Sequence, residues 1–133
     1  KEIVESFRSP KTSTIGRQFL LDSIAPRKGQ DGWFTAVKKS IMDTRDSLFY
    51  ADYRACVNFD VRDRLKDIQT PAQIFACTND SLVPLASSTF LSSALPNSEL
   101  IICYQNGHMV MLEEPALISK HMVAFLTRIK PIV

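Results

Sequence analysis

The sequence predicts an α/β chain, in which a helical leading segment precedes a strand–helix–strand–loop–helix unit with a parallel strand pair. Three observations predict it. Gln73 to Cys77 carries no charge, and Glu99 to Tyr104 carries none after its first residue, as in parallel strands covered on both faces. Each of these segments is followed by a helical pattern that a proline opens, Pro84 and Pro115. The residues before them place apolar side chains at helical spacing.

The elements follow in order. Glu2 to Arg8 is a short helical stub closed by Ser9-Pro10. Ser13 or Thr14 caps a helix to about Ile24, with Ile15, Phe19, Leu20 and Ile24 as its stripe. Ala25-Pro26-Arg27-Lys28-Gly29 breaks it. Asp31 caps the next helix, whose stripe is Trp33, Phe34, Val37, Ile41 and Met42. A further helix covers Ser47 to about Asn58, and Asp60 caps a short helical turn through Lys66. Thr70-Pro71 leads into the first strand, Pro84 starts a helix to about Leu95, and Pro96-Asn97 turns the chain into the second strand. Pro115 opens the last helix, with Ile118, Met122, Phe125, Leu126 and Ile129 on its apolar face. Two strands do not make an independently stable sheet of this kind. Further strands are expected beside them, from another part of the same protein or from another chain, and in isolation the chain is expected to associate through its exposed strand edge.

The bulk properties exclude several function classes. A chain of 133 residues is within the range of one domain, and 45% apolar with 23% charged residues is ordinary for a globular protein. A net charge of +2, with the basic residues scattered, argues against a nucleic-acid partner or an anionic membrane surface. No apolar run approaches the ~18 residues of a membrane span. Cys56, Cys77 and Cys103 have no metal-ligand spacing and read as reduced thiols, the last two in strands, which suits a cytoplasmic location. No cofactor or metal is called for.

The chemistry concentrates at the two strand ends. Asp80 directly follows the first strand, and in open parallel sheets functional groups collect at such carboxyl ends. A carboxylate there holds an imidazole in one tautomer and stabilises the imidazolium, or else caps the helix beginning near Leu82. His108 follows the second strand after Gln105-Asn106-Gly107, where Gly107 is expected to take a positive φ that turns the histidine inward. An acid and a histidine at neighbouring parallel strand ends form a far more specific pattern than either alone.

Asn79-Asp80-Ser81-Leu82-Val83-Pro84 and Gly107-His108-Met109-Val110-Met111-Leu112-Glu113-Glu114-Pro115 resemble the acid and histidine motifs of the α/β-hydrolase superfamily. Asp60-Val61-Arg62-Asp63-Arg64-Leu65, Ile68-Gln69-Thr70-Pro71 and Pro96-Asn97-Ser98-Glu99-Leu100 resemble the approaches to that family's last two core strands. The resemblance implies that Asp80 is a triad acid and His108 a general base. It further implies that residues 60–133 are the carboxyl-terminal part of the core and residues 1–59 the end of a helical cap.

The family's nucleophile stands on a Gly-x-Ser-x-Gly turn. The four glycines here, at 16, 29, 32 and 107, include no pair four apart. Ser81, Ser87 and Ser88 read as cap and surface residues. The expectation is therefore a carboxyl-terminal hydrolase portion that is inactive alone, working on a small apolar ester-like substrate together with an amino-terminal half. The alternative is a non-catalytic binding or assembly module that pairs its strands with a second copy of the chain. Trp33, Phe34, Phe49, Tyr50 and Tyr53 read either as lining of an apolar pocket or as packing between helices, and Met109, Val110 and Met111 likewise. His121 reads as a surface or flanking residue.

Overall fold

The computed structural model describes residues 2–24 and 32–129. They fall into two compact units, one ending at Asp60 and the other beginning at Val61.

The first unit is helical: α1 (Glu2–Ser6), α2 (Pro10–Ile24), α3 (Gly32–Asp43) and α4 (Asp46–Asn58). α2 starts at Pro10, three or four residues before the expected cap. Proline suits a first helical position because the N–H it lacks would have no partner there. Ser9 serves the start instead, its hydroxyl accepting from the Lys11 N–H at 3.3 Å. Ser13 is buried.

The buried face of α2 also differs from the expected stripe. Leu20 and Ile24 are buried, but Ile15 is 67% and Phe19 48% exposed. The face that packs is Ser13, Arg17, Leu20, Leu21 and Ile24, with Gly16 on the same side. Two non-apolar residues select it. At Gly16 an added Cβ would run into the Ser6 hydroxyl and come within 2.7 Å of Phe7 Cζ, so the missing side chain is what lets α1 lie close. Phe7 is 2% exposed and stacks on Phe49 and Tyr53 at centroid distances of 4.8 and 5.8 Å. These rings therefore pack helices within this unit. Arg17 donates to the Ile41 and Thr44 carbonyls at the end of α3, the latter at 2.6 Å, and pairs with Asp46 at the start of α4. One guanidinium thus satisfies carbonyls that the helix end leaves over. Arg45 occupies the N-cap of α4 without a side-chain cap bond. The expected Asp31 cap lies outside the described residues.

The second unit contains a 3-10 turn (Arg62–Asp67), β1 (Ala72–Cys77), α5 (Leu85–Ala94), β2 (Ser98–Cys103), α6 (Val110–Glu113) and α7 (Pro115–Arg128). The N-cap of the 3-10 turn is Val61 rather than Asp60, and it makes no side-chain cap bond. Pro84 is the N-cap of α5 rather than its first residue. The strands pair in parallel, from Ala72 opposite Ser98 to Cys77 opposite Cys103.

Alternation along the strands sends Phe75, Cys77, Ile101 and Cys103 to one face, where Val110 of α6 and Ile118 of α7 close a small core. α5 packs on both strands. The coverage is thinner than near-continuous apolar strands lead one to expect: only Ala76, Cys77 and Cys103 are buried, and the earlier strand positions are half-buried or, at Ile102, exposed. On the α7 side an apolar groove of about 450 Å³ opens between Phe75, Met111, Met122, Phe125 and Leu126. Gln73 donates to Glu99 and to the His121 carbonyl, and Arg128 reaches Glu99 at 2.6 Å, so polar bonds tie α7 to the start of the sheet. His121 is half-buried, its ring edge-to-face with Phe75 at 6.2 Å. Among the described residues, no helix is long and apolar enough to cross a membrane.

Candidate active site

The parallel register brings the two strand ends level, and main-chain bonds carry that registration into the loops. The Thr78 N–H donates to the Cys103 carbonyl at 3.1 Å and the Asn79 N–H to the Asn106 carbonyl at 3.1 Å. The Gln105 N–H returns to the Thr78 hydroxyl at 2.9 Å. Gln105 has φ of 62°, the left-handed conformation that L-residues other than Gly, Asn and Asp seldom adopt. The expected positive φ thus falls at Gln105. Gly107 does not share it. What Gly107 provides is room, because an added Cβ would stand 3.0 Å from Glu113 Oε1.

This folding brings Asp80 and His108 together across 28 residues of sequence: His108 Nδ1 lies 2.9 Å from Asp80 Oδ2. The Asp80 side chain is 10% exposed and that of His108 34%. The other carboxylate oxygen, Oδ1, accepts from the Leu82 and Val83 N–H groups at 2.8 and 2.9 Å. The two carboxylate oxygens of Asp80 thus have different partners. One oxygen organises the turn ahead of α5, in an Asx-type arrangement rather than a cap on the helix itself, and the other meets the imidazole.

Electrostatics favour the ionised carboxylate. Burial pushes the Asp80 carboxyl up, but the Val83 N–H, His108 and the Leu82 N–H outweigh it, and the net result lies below the ordinary 3.8. An ionised carboxylate only accepts, so His108 donates from Nδ1 and carries its basic lone pair on Nε2. Beneath the pair, burial first and then the neighbouring Cys103 and Asp80 push the Cys77 thiol up to about 12.

One residue at this site has no role in the sequence reading. Glu113 Oε2 accepts from the Gly107 N–H at 2.9 Å and from Asn106 Nδ2 at 3.3 Å. It sits at the end of α6, a helix also unforeseen, which Val110 anchors in the core. An acid five residues after Gly-His was the available signal. Of the other candidates, Val110 packs inward while Met111 is 48% exposed and lines the groove. Ser87 and Ser88 lie on α5.

No protein-family model matches the chain. It is similar to the putative carbamate hydrolase RutD of Pseudomonas savastanoi, with 36% identity over 72 residues, 54% of this chain and 28% of that protein. It is also similar to the pimeloyl-[acyl-carrier protein] methyl ester esterase of Aromatoleum aromaticum, at 25% identity over 84% of this chain and 46% of the esterase. Among solved structures, a hydrolase from Oleispira antarctica superposes on 96% of the chain with a TM-score of 0.82 and 22% identity. The chain has the carboxyl-terminal part of the α/β-hydrolase fold. It spans less than half the length of each of these three proteins. The fold implied by the resemblance of the acid and histidine segments is thus the observed one, helical segment included.

Proposed function

We propose that this chain is the carboxyl-terminal portion of a serine hydrolase of the α/β-hydrolase superfamily, with Asp80 as triad acid and His108 as general base. The observation that carries the proposal is the 2.9 Å bond from His108 Nδ1 to Asp80 Oδ2 at neighbouring parallel strand ends. In this reading an upstream serine attacks an acyl carbon. His108 Nε2 takes the serine proton, returns it to the leaving group, and then activates water, while Asp80 holds the tautomer and balances the imidazolium charge. The substrate class is a small or medium apolar ester or related acyl compound. The carbamate and methyl ester in the names of similar proteins are both acyl compounds, which supports that class. Residues 1–59 are then the end of the helical cap.

The test is chemical. A fluorophosphonate probe applied to the native source protein should label a Gly-x-Ser-x-Gly serine in a polypeptide continuous with Lys1. The 133-residue chain alone should turn over no chromogenic ester. Turnover by the chain alone, abolished by His108→Ala, would contradict an upstream nucleophile, and a native protein that starts at Lys1 and resists the probe would sink the proposal.

A second reading rests on the incompletely covered sheet. A two-stranded sheet beside an apolar groove leaves surface that a second copy of the chain can cover by strand pairing. In that reading the chain is an assembly module. Light scattering distinguishes it: a dimer that persists when the remainder of the hydrolase is supplied favours assembly, and a dimer that dissociates favours the enzyme.

A further inference from the structure

We propose that Glu113 is the positioning residue that holds His108 in register with Asp80. The inference concerns the loop geometry and rests on the catalytic reading only for its consequence in an enzyme.

Glu113 grips the chain on both sides of His108. Through its side chain, Oε2 takes the Gly107 N–H at 2.9 Å, one residue before the histidine. Through its backbone, the Glu113 N–H donates to the Met109 carbonyl at 3.0 Å, one residue after it. His108 is therefore the residue spanned by a ring that opens and closes on the same glutamate. Asn106, only 8% exposed, adds its amide to the same oxygen and receives Asn79 N–H on its carbonyl, which links the ring to the loop that carries Asp80.

The second oxygen, Oε1, is buried with no hydrogen-bond partner among the described residues and lies against Gly107. A buried carboxylate oxygen without a partner is costly to keep. An apolar residue would avoid that cost but would leave the Gly107 N–H without its acceptor. The absence of a side chain at Gly107 is what admits the carboxylate. The alternative is that Glu113 merely terminates α6. Termination requires no bond to residues 106 and 107, and those bonds are what the inference explains.

The experiment uses the 133-residue chain labelled with ¹⁵N. Two signals are followed: the hydrogen-bonded Nδ1–H of His108, and exchange of the Gly107 amide. Glu113→Ala should abolish the first and speed the second by about tenfold or more, while the amide signals of α5 and α7 stay in place. Glu113→Gln keeps an acceptor oxygen and should restore the His108 signal. Glu114→Ala, one residue on, should change neither. Should Glu113→Ala fail to fold, Gly107→Ala carries the test, because its methyl presses on the carboxylate from the other side and should likewise remove the His108 signal. A His108 signal unchanged in Glu113→Ala, or in Gly107→Ala where that carries the test, overturns the inference alone. A wild-type chain with no hydrogen-bonded Nδ1–H overturns the Asp80–His108 pair itself, and the inference with it.

Discussion

Replacing Asp80 by asparagine tests how its two oxygens divide their work. Oδ1 accepts two backbone N–H groups, so the new amide should keep its carbonyl there, since the reverse orientation would set NH2 against two donors. The NH2 then faces His108 Nδ1, which must accept instead of donate. The imidazole proton moves to Nε2, the wrong nitrogen for a general base. The substitution exchanges a charge-assisted hydrogen bond, ordinarily about 1.5–3 kcal/mol and about 1.5–2 with His108 partly exposed, for a neutral one of about 0.5–1.5 kcal/mol, a net cost of about 1 kcal/mol. Asp80→Ala loses that bond outright and strips the two backbone donors of their acceptor, roughly 1 kcal/mol each, for about 3.5–4 kcal/mol in all. Urea unfolding midpoints give the difference between the variants, and long-range ¹H–¹⁵N correlation gives the tautomer. Acidity supplies the sign. A carboxyl held below its unfolded value contributes stability above about pH 3.8 and loses it as pH falls through the folded value, so the gap between wild type and Asp80→Asn should close toward pH 2. A gap constant from pH 7 to pH 2, or an Nδ1–H tautomer surviving in Asp80→Asn, would refute the reasoning. In an enzyme assembled around this pair, a wrong tautomer lowers kcat by about 10⁴.

Three further outcomes are expected. Gly16→Ala should destabilise the first unit by about 1–3 kcal/mol, read from thermal unfolding, because its methyl collides with Ser6 and Phe7. Arg17→Ala should cost about 3 kcal/mol by the same measurement, since it strands the Ile41 and Thr44 carbonyls and the partly buried Asp46. Iodoacetamide at pH 8 should modify exposed Cys56 in the native chain and all three thiols only in denaturant, as mass spectrometry would show, because burial protects Cys77 and Cys103 and holds the Cys77 thiol near 12.

The sheet and its two ends were readable because apolar runs and prolines are local signals. Both strands begin and end within one residue of expectation. The pairing of Asp80 with His108 needed only the idea that neighbouring parallel strands end side by side. The failures lie where a residue acts through space. Counting apolar residues on α2 selects Ile15 and Phe19, but the buried face is decided by a glycine that admits Phe7 and an arginine that reaches α3. Neither type registers in a hydrophobic pattern. Gly107 invited a conformational explanation, yet its function is spatial, and the strained backbone belongs to Gln105. Glu113 was visible as part of a motif, but its bonds depend on α6, a four-residue helix too short for periodicity to reveal.

The registration of the two loop ends relies largely on main-chain atoms: Thr78 to Cys103, Asn79 to Asn106, and the strand ladder beneath them. The chain running from Asp80 through α5 to Ser98 covers the sheet, but its length is not what sets the registration. Lengthening it adds only the slowly growing entropy of a longer loop, about 0.6 kcal/mol per doubling. Opening it at Pro96-Asn97 and joining the old termini elsewhere would leave the acid and the histidine facing each other for as long as the two strands pair and Glu113 keeps its hold on the histidine loop. Such a site survives insertion and circular permutation in its connections, and what it cannot survive is a slip of the strands by a single residue.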